Sequence, residues 1–331
     1  NLGLRWEWAG RPVSKDNTIS TVIFDQSGAR LITAKNPEGY PAALAYDDFN
    51  NFAPRFGFAY NPKFLGGKTV LRGAYGTFYQ RELANTWVDL AIYDPFIRQA
   101  NFNLDTDPNS PFYFAKYDLS RPTALAPSSP LLTFAVDTNW RDGMVHQWNF
   151  NVQQSLGFGT VLQVAYVGNR GLRLPWSTLA NQPAPGPGPI QPRRPYPNFG
   201  LIYGLGSGGD SYYNGLQIQV EKRYSNGLLF MAGYTYSKCI STSDSTFVGE
   251  GTSIQNGRDF SQQRGLCTQD IRKRLTFSWL YDLPFGRGKR FLNGTSGIVD
   301  AFLGGWQING ILTFRSGSAF TVSQPGDAPN Q

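Results

Sequence analysis

Four stretches of the chain alternate hydrophobic and polar side chains over many consecutive positions. In 213–223, Leu216, Ile218 and Val220 fall on one face, and Gln217, Gln219 and Glu221 on the other. In 145–156, Trp148, Phe150 and Val152 oppose Gln147, Asn149, Asn151 and Gln153. In 273–283, Leu275, Phe277, Trp279, Tyr281 and Leu283 oppose Arg274, Thr276, Ser278 and Asp282. In 305–315, Trp306, Ile308, Leu312 and Phe314 oppose Gln307, Asn309, Thr313 and Arg315. Successive side chains of a strand point to opposite sides, so each stretch predicts a strand with one oily and one wet surface. Their length matches the roughly 9–11 residues that cross hydrocarbon at a tilt. Strands of globular domains are nearer ~5–6.

Nine strands are expected, at 2–8, 53–60, 69–79, 145–156, 160–168, 213–223, 228–238, 273–283 and 305–315. Their connections alternate between tight and long. The tight ones run 61–68, 157–159 and 224–227; the long ones run 9–52, 80–144, 169–212 and 239–271. A basic link at 284–304 joins the last two strands. Gly66-Gly67, Gly157 with Gly159, Asn226-Gly227, and Gly286 with Gly288 supply turn residues for four hairpins. Short turns on one side of a slab and long loops on the other are the layout of an outer-membrane β-barrel. The expected fold is therefore all-β: an antiparallel, up-and-down transmembrane barrel with long extracellular loops.

Composition adds to this picture. The 331 residues are 15% aromatic and include 37 Gly and 22 Pro. The aromatics sit mostly in or at the ends of the two-faced segments, as interfacial girdles do. No apolar run of about 18 residues exists, which speaks only against a membrane helix. The net charge is +7. The cations are not drawn into one stripe, so nucleic acid is not an expected partner. They gather where strands would leave the membrane, at Lys222 and Arg223, Lys238, Arg272 to Arg274, and Arg287 to Arg290. Lys238 and Arg272 to Arg274 would stand at the outer end, in reach of lipopolysaccharide phosphates, so outer-membrane lipid is an expected partner.

Cys239 and Cys267 both lie in one long link, each beside a flanking strand. A disulfide there would close the loop at its base, add about 3–4 kcal/mol in the chain-entropy model and require an oxidising compartment. A metal pair or two free thiols are the alternatives. His146 is the only histidine, and it reads as a strand-end residue. No Ser/His/Asp arrangement and no recurrent carboxylate pair emerges, so neither an enzyme nor a cofactor is expected. Residues 204–209 match G-x-G-x-x-G, but a strand rather than a helix follows, which excludes a dinucleotide site. The proline-rich stretch 183–198 predicts an extended, polyproline-like surface loop. Asp105 to Asn109 resembles the start of a calcium loop without its Gly and late Glu.

Several segments resemble a known family. Asn51-Phe-Ala-Pro-Arg-Phe-Gly-Phe-Ala-Tyr-Asn-Pro62 followed by Gly67-Lys-Thr-Val-Leu-Arg-Gly-Ala-Tyr-Gly-Thr-Phe-Tyr79 resembles a barrel hairpin of TonB-dependent receptors, and of their Oar-like members with a carboxypeptidase-regulatory-like domain. Tyr213-Asn-Gly-Leu-Gln with Tyr234-Thr-Tyr-Ser-Lys238, and Asp270-Ile-Arg-Lys-Arg274, are similar to other parts of that group. So are Leu283 to Arg290, and Gly305 to Gly310 with Ser316 to Thr321.

The resemblance implies a large barrel of about 22 strands, a plug domain inside it and energy delivered by the TonB complex. Residues 1–331 are then expected to be part of one such barrel, with plug and signal peptide outside this chain. The implied ligand is a metal chelate, vitamin, glycan or peptide. The expected lumen-facing candidates for holding it are Arg72, Gln147, Asn149, Gln217, Gln219, Glu221, Gln307 and Asn309. Adhesion or surface assembly, and a soluble β-rich binding module, are the alternatives.

Overall fold

In the computed structural model, residues 1–81, 85–97, 131–242, 256–257, 259–294, 297–320 and 322 are described. The strands are β1 (Leu2–Glu7), β2 (Ser20–Asp25), β3 (Gly28–Thr33), β4 (Asn51–Tyr60), β5 (Thr69–Gln80), β6 (Leu131–Val136), β7 (Gly143–Gly157), β8 (Thr160–Leu179), β9 (Phe199–Ser225), β10 (Leu228–Ser241), β11 (Gly265–Leu266), β12 (Lys273–Asp282) and β13 (Gln307–Arg315). Two short helices, α1 (Asn85–Asp89) and α2 (Ile298–Leu303), lie in connections. Nine strands run side by side in chain order, β1-β4-β5-β7-β8-β9-β10-β12-β13. Each is antiparallel to the next. They are the nine that alternation predicts, and all four expected hairpins form. β1 and β13 end the path, so the sheet is open.

Tight turns need backbone that only certain residues supply. At the β9–β10 turn, Asn226 and Gly227 both have positive φ, 51° and 77°. Two successive positive φ angles match the right-handed twist of the flanking strands.

Register converts alternation along single strands into two continuous surfaces. Leu71, Val152, Val164, Ile218, Tyr234, Leu275 and Phe314 stand opposite one another from β5 to β13. The adjacent row is Val70, Gln153, Gln163, Gln219, Gly233, Thr276 and Thr313. One face is thus an aliphatic and aromatic belt and the other is mostly polar. Trp148, Ile218 and Phe277 are only partly covered, Leu312 is exposed, and none joins a packed core. His146 stands on the belt side near the outer end of β7, its ring stacked on Tyr75 at 5.9 Å, with Nδ1 2.8 Å from the Tyr75 hydroxyl.

The dry core lies in the long connections. One cluster joins Ile19, Ile32, Leu44, Trp87, Phe134 and Leu205, among others; a second joins Val22, Ala135, Phe199 and Ile202. These residues come from β2, β3, β6, α1, the outer end of β9 and the connections flanking the β2–β3 hairpin, where Ile19 and Leu44 lie. β6 runs parallel to β9 along Phe199 to Leu205, past the point where β10 ends opposite Ser211. The Thr21 hydroxyl joins the β2–β3 hairpin to this edge, accepting from the Val136 N–H at 2.8 Å and donating to the Phe134 carbonyl at 3.5 Å. At the hairpin turn, the Ser27 hydroxyl and N–H and the Arg30 guanidinium hold the Asp25 carboxyl down at about 2.

Three expectations about the loops need correction. The link expected at 169–212 is largely strand, because β8 runs on to Leu179 and β9 starts at Phe199. The glycine-rich stretch 204–209 lies inside β9, where missing side chains admit the Trp176 ring. A Cβ on Gly206 would stand 2.9 Å from the Trp176 Nε1. The proline-rich stretch folds back instead of extending. The Asn181 amide donates to the carbonyls of Tyr196, Phe199 and Gly200. Arg194 in turn donates to the Asn181 carbonyl at 2.8 Å. Prolines lack N–H donors, so side chains supply the bonds that gather these carbonyls. Asp105 to Asn109 lies outside the described residues.

Candidate functional site

Eight residues were expected on the wet face: Arg72, Gln147, Asn149, Gln217, Gln219, Glu221, Gln307 and Asn309. Cross-strand register puts all of them on one side of the sheet, away from the belt. It does not gather them into one place. Arg72 donates to Gln153 at 2.8 Å, and Gln307 to Asp282 at 2.8 Å, so both are engaged by the wall itself. Gln217 alone of the eight lines a pocket of about 570 Å³ on this face.

One wall of that pocket is built by β9 and β10, through Ser211, Tyr213, Gln217, Thr235 and Ser237. Gly215 lies among them, and a Cβ there would stand 2.8 Å from the Tyr213 hydroxyl and 3.3 Å from the Ser237 Cβ. Its missing side chain leaves the depression open. The opposite wall is the segment Cys267 to Ile271. Cys239 and Cys267 are joined by a disulfide, with Cα atoms 5.4 Å apart. The Cys267 N–H donates to the Cys239 carbonyl at 3.2 Å, and the Cys239 N–H to the Asp270 carboxylate at 2.7 Å. The Ser237 N–H donates to the Arg272 carbonyl at 3.0 Å. The segment is therefore sewn along the end of β10 by covalent and hydrogen bonds.

Charge in and beside the pocket is unbalanced. Asp270 is buried and already committed, one oxygen to the Cys239 N–H and the other 3.8 Å from Arg272. Arg274 lines the pocket and stands directly opposite Arg315 on β13. Neither guanidinium has an ion pair among the described residues. Like charges opposite one another on a sheet face repel. The arrangement suits hydroxyl-rich ligands that carry an anionic group.

Arg274 corrects an expectation. It was grouped with Lys238 and Arg272 as a contact for membrane phosphates, yet it shares a face with Thr235 and Gln217, and Arg272 leans on Asp270. The pocket residues absent from the expected set were legible by parity: Ser211 and Tyr213 continue the face of Gln217, and Ser237 that of Thr235. Asp270 carried no such signal, because it lies between strands.

A second constellation ties the outer lobe to the sheet. Arg11 Nη1 lies 2.6 Å from Asp142 Oδ1, with both side chains buried. Asn51 donates to the other Asp142 oxygen at 2.8 Å. Arg141 Nε and the Asp142 N–H both donate to Asp48 Oδ2, at 2.9 and 3.1 Å. Burial pushes the Asp48 carboxyl up, but the Arg141 bond and the Asp142 N–H outweigh it, and its pKa lies below the ordinary carboxylate value. Among the described residues, no group of three or more His, Cys, Asp or Glu side chains is placed to hold a metal ion.

A family model described as an outer membrane beta barrel domain matches residues 1–331. The chain belongs to that family. It is accordingly an outer-membrane β-barrel chain, the belt its lipid-facing surface and the polar side its interior. No curated protein matches it in sequence. Among solved structures, the outer membrane transporter YddB from Escherichia coli is similar at 9% identity and a TM-score of 0.44, over 72% of this chain and 27% of that one. The FrpB iron transporter from Neisseria meningitidis is similar at 12% identity and a TM-score of 0.36, over 72% of this chain and 25% of that one. The Serratia marcescens hemophore receptor HasR, solved with its hemophore HasA and heme, is similar at 11% and 0.34, over 95% and 47%. The chain thus spans a quarter to a half of these structures' lengths.

Proposed function

We propose that this chain is wall and outer lobe of a TonB-dependent receptor of the Oar-like kind, which binds a ligand at the cell surface and imports it. Its pocket takes a hydroxyl-rich, anionic ligand, such as a metal chelate or an acidic glycan. The observation that carries this reading is the pair Arg274 and Arg315, opposed on the interior face beside a pocket of hydroxyls and amides, neither of them in an ion pair among the described residues, while the pocket's Asp270 is committed to the Cys239 N–H and Arg272. The hydroxyls of Ser211, Tyr213 and Thr235 would bind and orient the ligand, and Arg274 would meet its charge.

A deletion strain should lose uptake of one class among ferric chelates, corrinoids, acidic oligosaccharides and peptides. Arg274→Gln with Arg315→Gln in the full-length protein should reduce that same uptake about tenfold or more, as loss of a charge-assisted contact does. Unchanged uptake of every class in the deletion strain contradicts import. The outer lobe has its own dry core, and this favours adhesion or surface assembly as the second reading. Loss of cell–cell cohesion with uptake intact would support it.

A further inference from the structure

A second hollow, of about 330 Å³, lies in the outer lobe, past the end of β10 and away from the interior pocket. Register builds its floor from small residues. Ala135 on β6 stands beside Gly204 on β9, and Gly204 stands opposite Thr178 on β8. Two residues on, Gly206 stands opposite Trp176. The glycines are needed there. A Cβ on Gly206 would meet the Trp176 Nε1 at 2.9 Å, and one on Gly204 would meet the Thr178 Cγ2 at 2.7 Å. In their absence the indole lies across β9 and borders the hollow.

Phe24 of β2 and Tyr40 of the loop after β3 border it as well. Both rings are held by a second aromatic. Phe24 lies 5.3 Å from Tyr196, and Tyr40 lies 6.3 Å from Tyr46, between ring centroids. Three supported aromatic side chains thus line one small space.

The charge of this space is one-sided. Among the described residues that line it, Asp137 is the one charged group. Its N–H donates to the Leu205 carbonyl at 2.8 Å, and its Oδ1 accepts the Asn139 N–H at 2.9 Å. The exposed carboxylate makes no ion pair among the described residues. An anionic ligand would be repelled, and a neutral one would leave the carboxylate unanswered. A bare ammonium would shed tightly held water against apolar walls. A methylated ammonium suits all of these surfaces at once. Its methyl groups pack on the rings, whose faces attract a cation, and its charge faces Asp137.

We propose that the hollow bordered by Phe24, Tyr40, Trp176 and Asp137 binds a methylated ammonium group of the kind choline carries. The interior pocket selects the opposite charge with its arginines, so the two sites stand or fall separately.

The test uses the purified full-length protein in non-ionic detergent, titrated with choline and followed by saturation transfer to the choline methyl protons. Parallel titrations use ethanolamine, glucose and dimethylbutanol, the neutral carbon isostere of choline. Choline should bind, and the isostere, of the same shape without the charge, should bind about tenfold or more weakly. Ethanolamine and glucose should not compete. Asp137→Asn keeps an acceptor for the Asn139 N–H and removes the charge. Phe24→Leu and Trp176→Leu keep apolar volume and remove a ring. Each should weaken choline binding several-fold to about tenfold. Heat-modifiable mobility and protease resistance of the lobe report folding. Asp137 and Phe24 are exposed, so their variants carry the test if Trp176→Leu loosens the lobe. Equal binding of choline and its isostere, or binding of glucose in place of choline, would overturn the proposal. So would no choline binding at all, or unchanged choline binding by folded Asp137→Asn and Phe24→Leu.

Discussion

Arg11 and Asp142 meet at 2.6 Å, with each side chain only 3% exposed. One follows β1 and the other precedes β7, so the contact fastens two long outer connections to each other at the sheet. Arg11 is held further by the carbonyls of Trp140, at 2.9 Å, and Tyr46, at 3.3 Å. Removing one partner of such a pair strands a buried charge, which costs about 3–5 kcal/mol. Asp142→Ala should therefore loosen the outer lobe while the barrel still assembles. Limited proteolysis of intact cells should show new cleavage within 9–50, with heat-modifiable mobility of the barrel unchanged.

Asp48 makes the same junction sensitive to acid. Its carboxyl is depressed in the folded state, so its stabilising contribution is present above the unfolded carboxylate pKa, ~3.9. That contribution is lost as pH falls through the lower folded value. Arg141 is partly exposed, which screens the interaction. Asp89 acts in the opposite sense: burial raises its pKa, so its contribution is present in acid and lost as pH rises. Protection of the lobe amides, expressed relative to the intrinsic exchange rate at each pH, should fall more between pH 5 and pH 3 in the unaltered protein than in Asp48→Asn. An equal fall in protection would remove Asp48 from the account.

The Cys239–Cys267 bridge closes a link with a sequence separation of 28. Its loss should remove about 3–4 kcal/mol of loop closure and release the far wall of the pocket. Alkylation with a maleimide should label the protein only after reduction. The double variant Cys239→Ser, Cys267→Ser should weaken ligand uptake more than it weakens barrel assembly.

The nine wall strands were legible because each must present one face to lipid and one to the interior, which forces a period of two. The outer lobe was not. In β2, Ser20, Thr21, Val22 and Ile23 are all buried, so no alternation exists to be read. The outer part of β9 contains Gly204, Gly206 and Gly208, which carry no side chain to mark a face. The Arg11–Asp142 pair joins residues 131 positions apart, and only folding brings them together. Of the pocket, Gln217 followed from the pattern. The opposition of Arg274 to Arg315 needed the register between strands, and Asp270, which lies between strands, needed the closure of its segment onto Cys239.

A charge on the belt should be costly. Ile218→Arg faces lipid near the middle of its row, where an arginine costs about 2–4 kcal/mol. Gln219→Leu lies on the interior face and should leave assembly unchanged. The fraction of heat-modifiable barrel recovered from outer membranes should fall for the first variant and not for the second.

Neighbouring residues on one strand give the most direct measurement of all. A fluorophore attached to Ile218→Cys or to Gln219→Cys, in the Cys239→Ser, Cys267→Ser background, is exposed to a quencher carried on lipid acyl chains. Strong quenching at 218 and weak quenching at 219 is the predicted result. Equal quenching at both positions, or stronger quenching at 219, would contradict a wall with one face in lipid and the other turned to the interior.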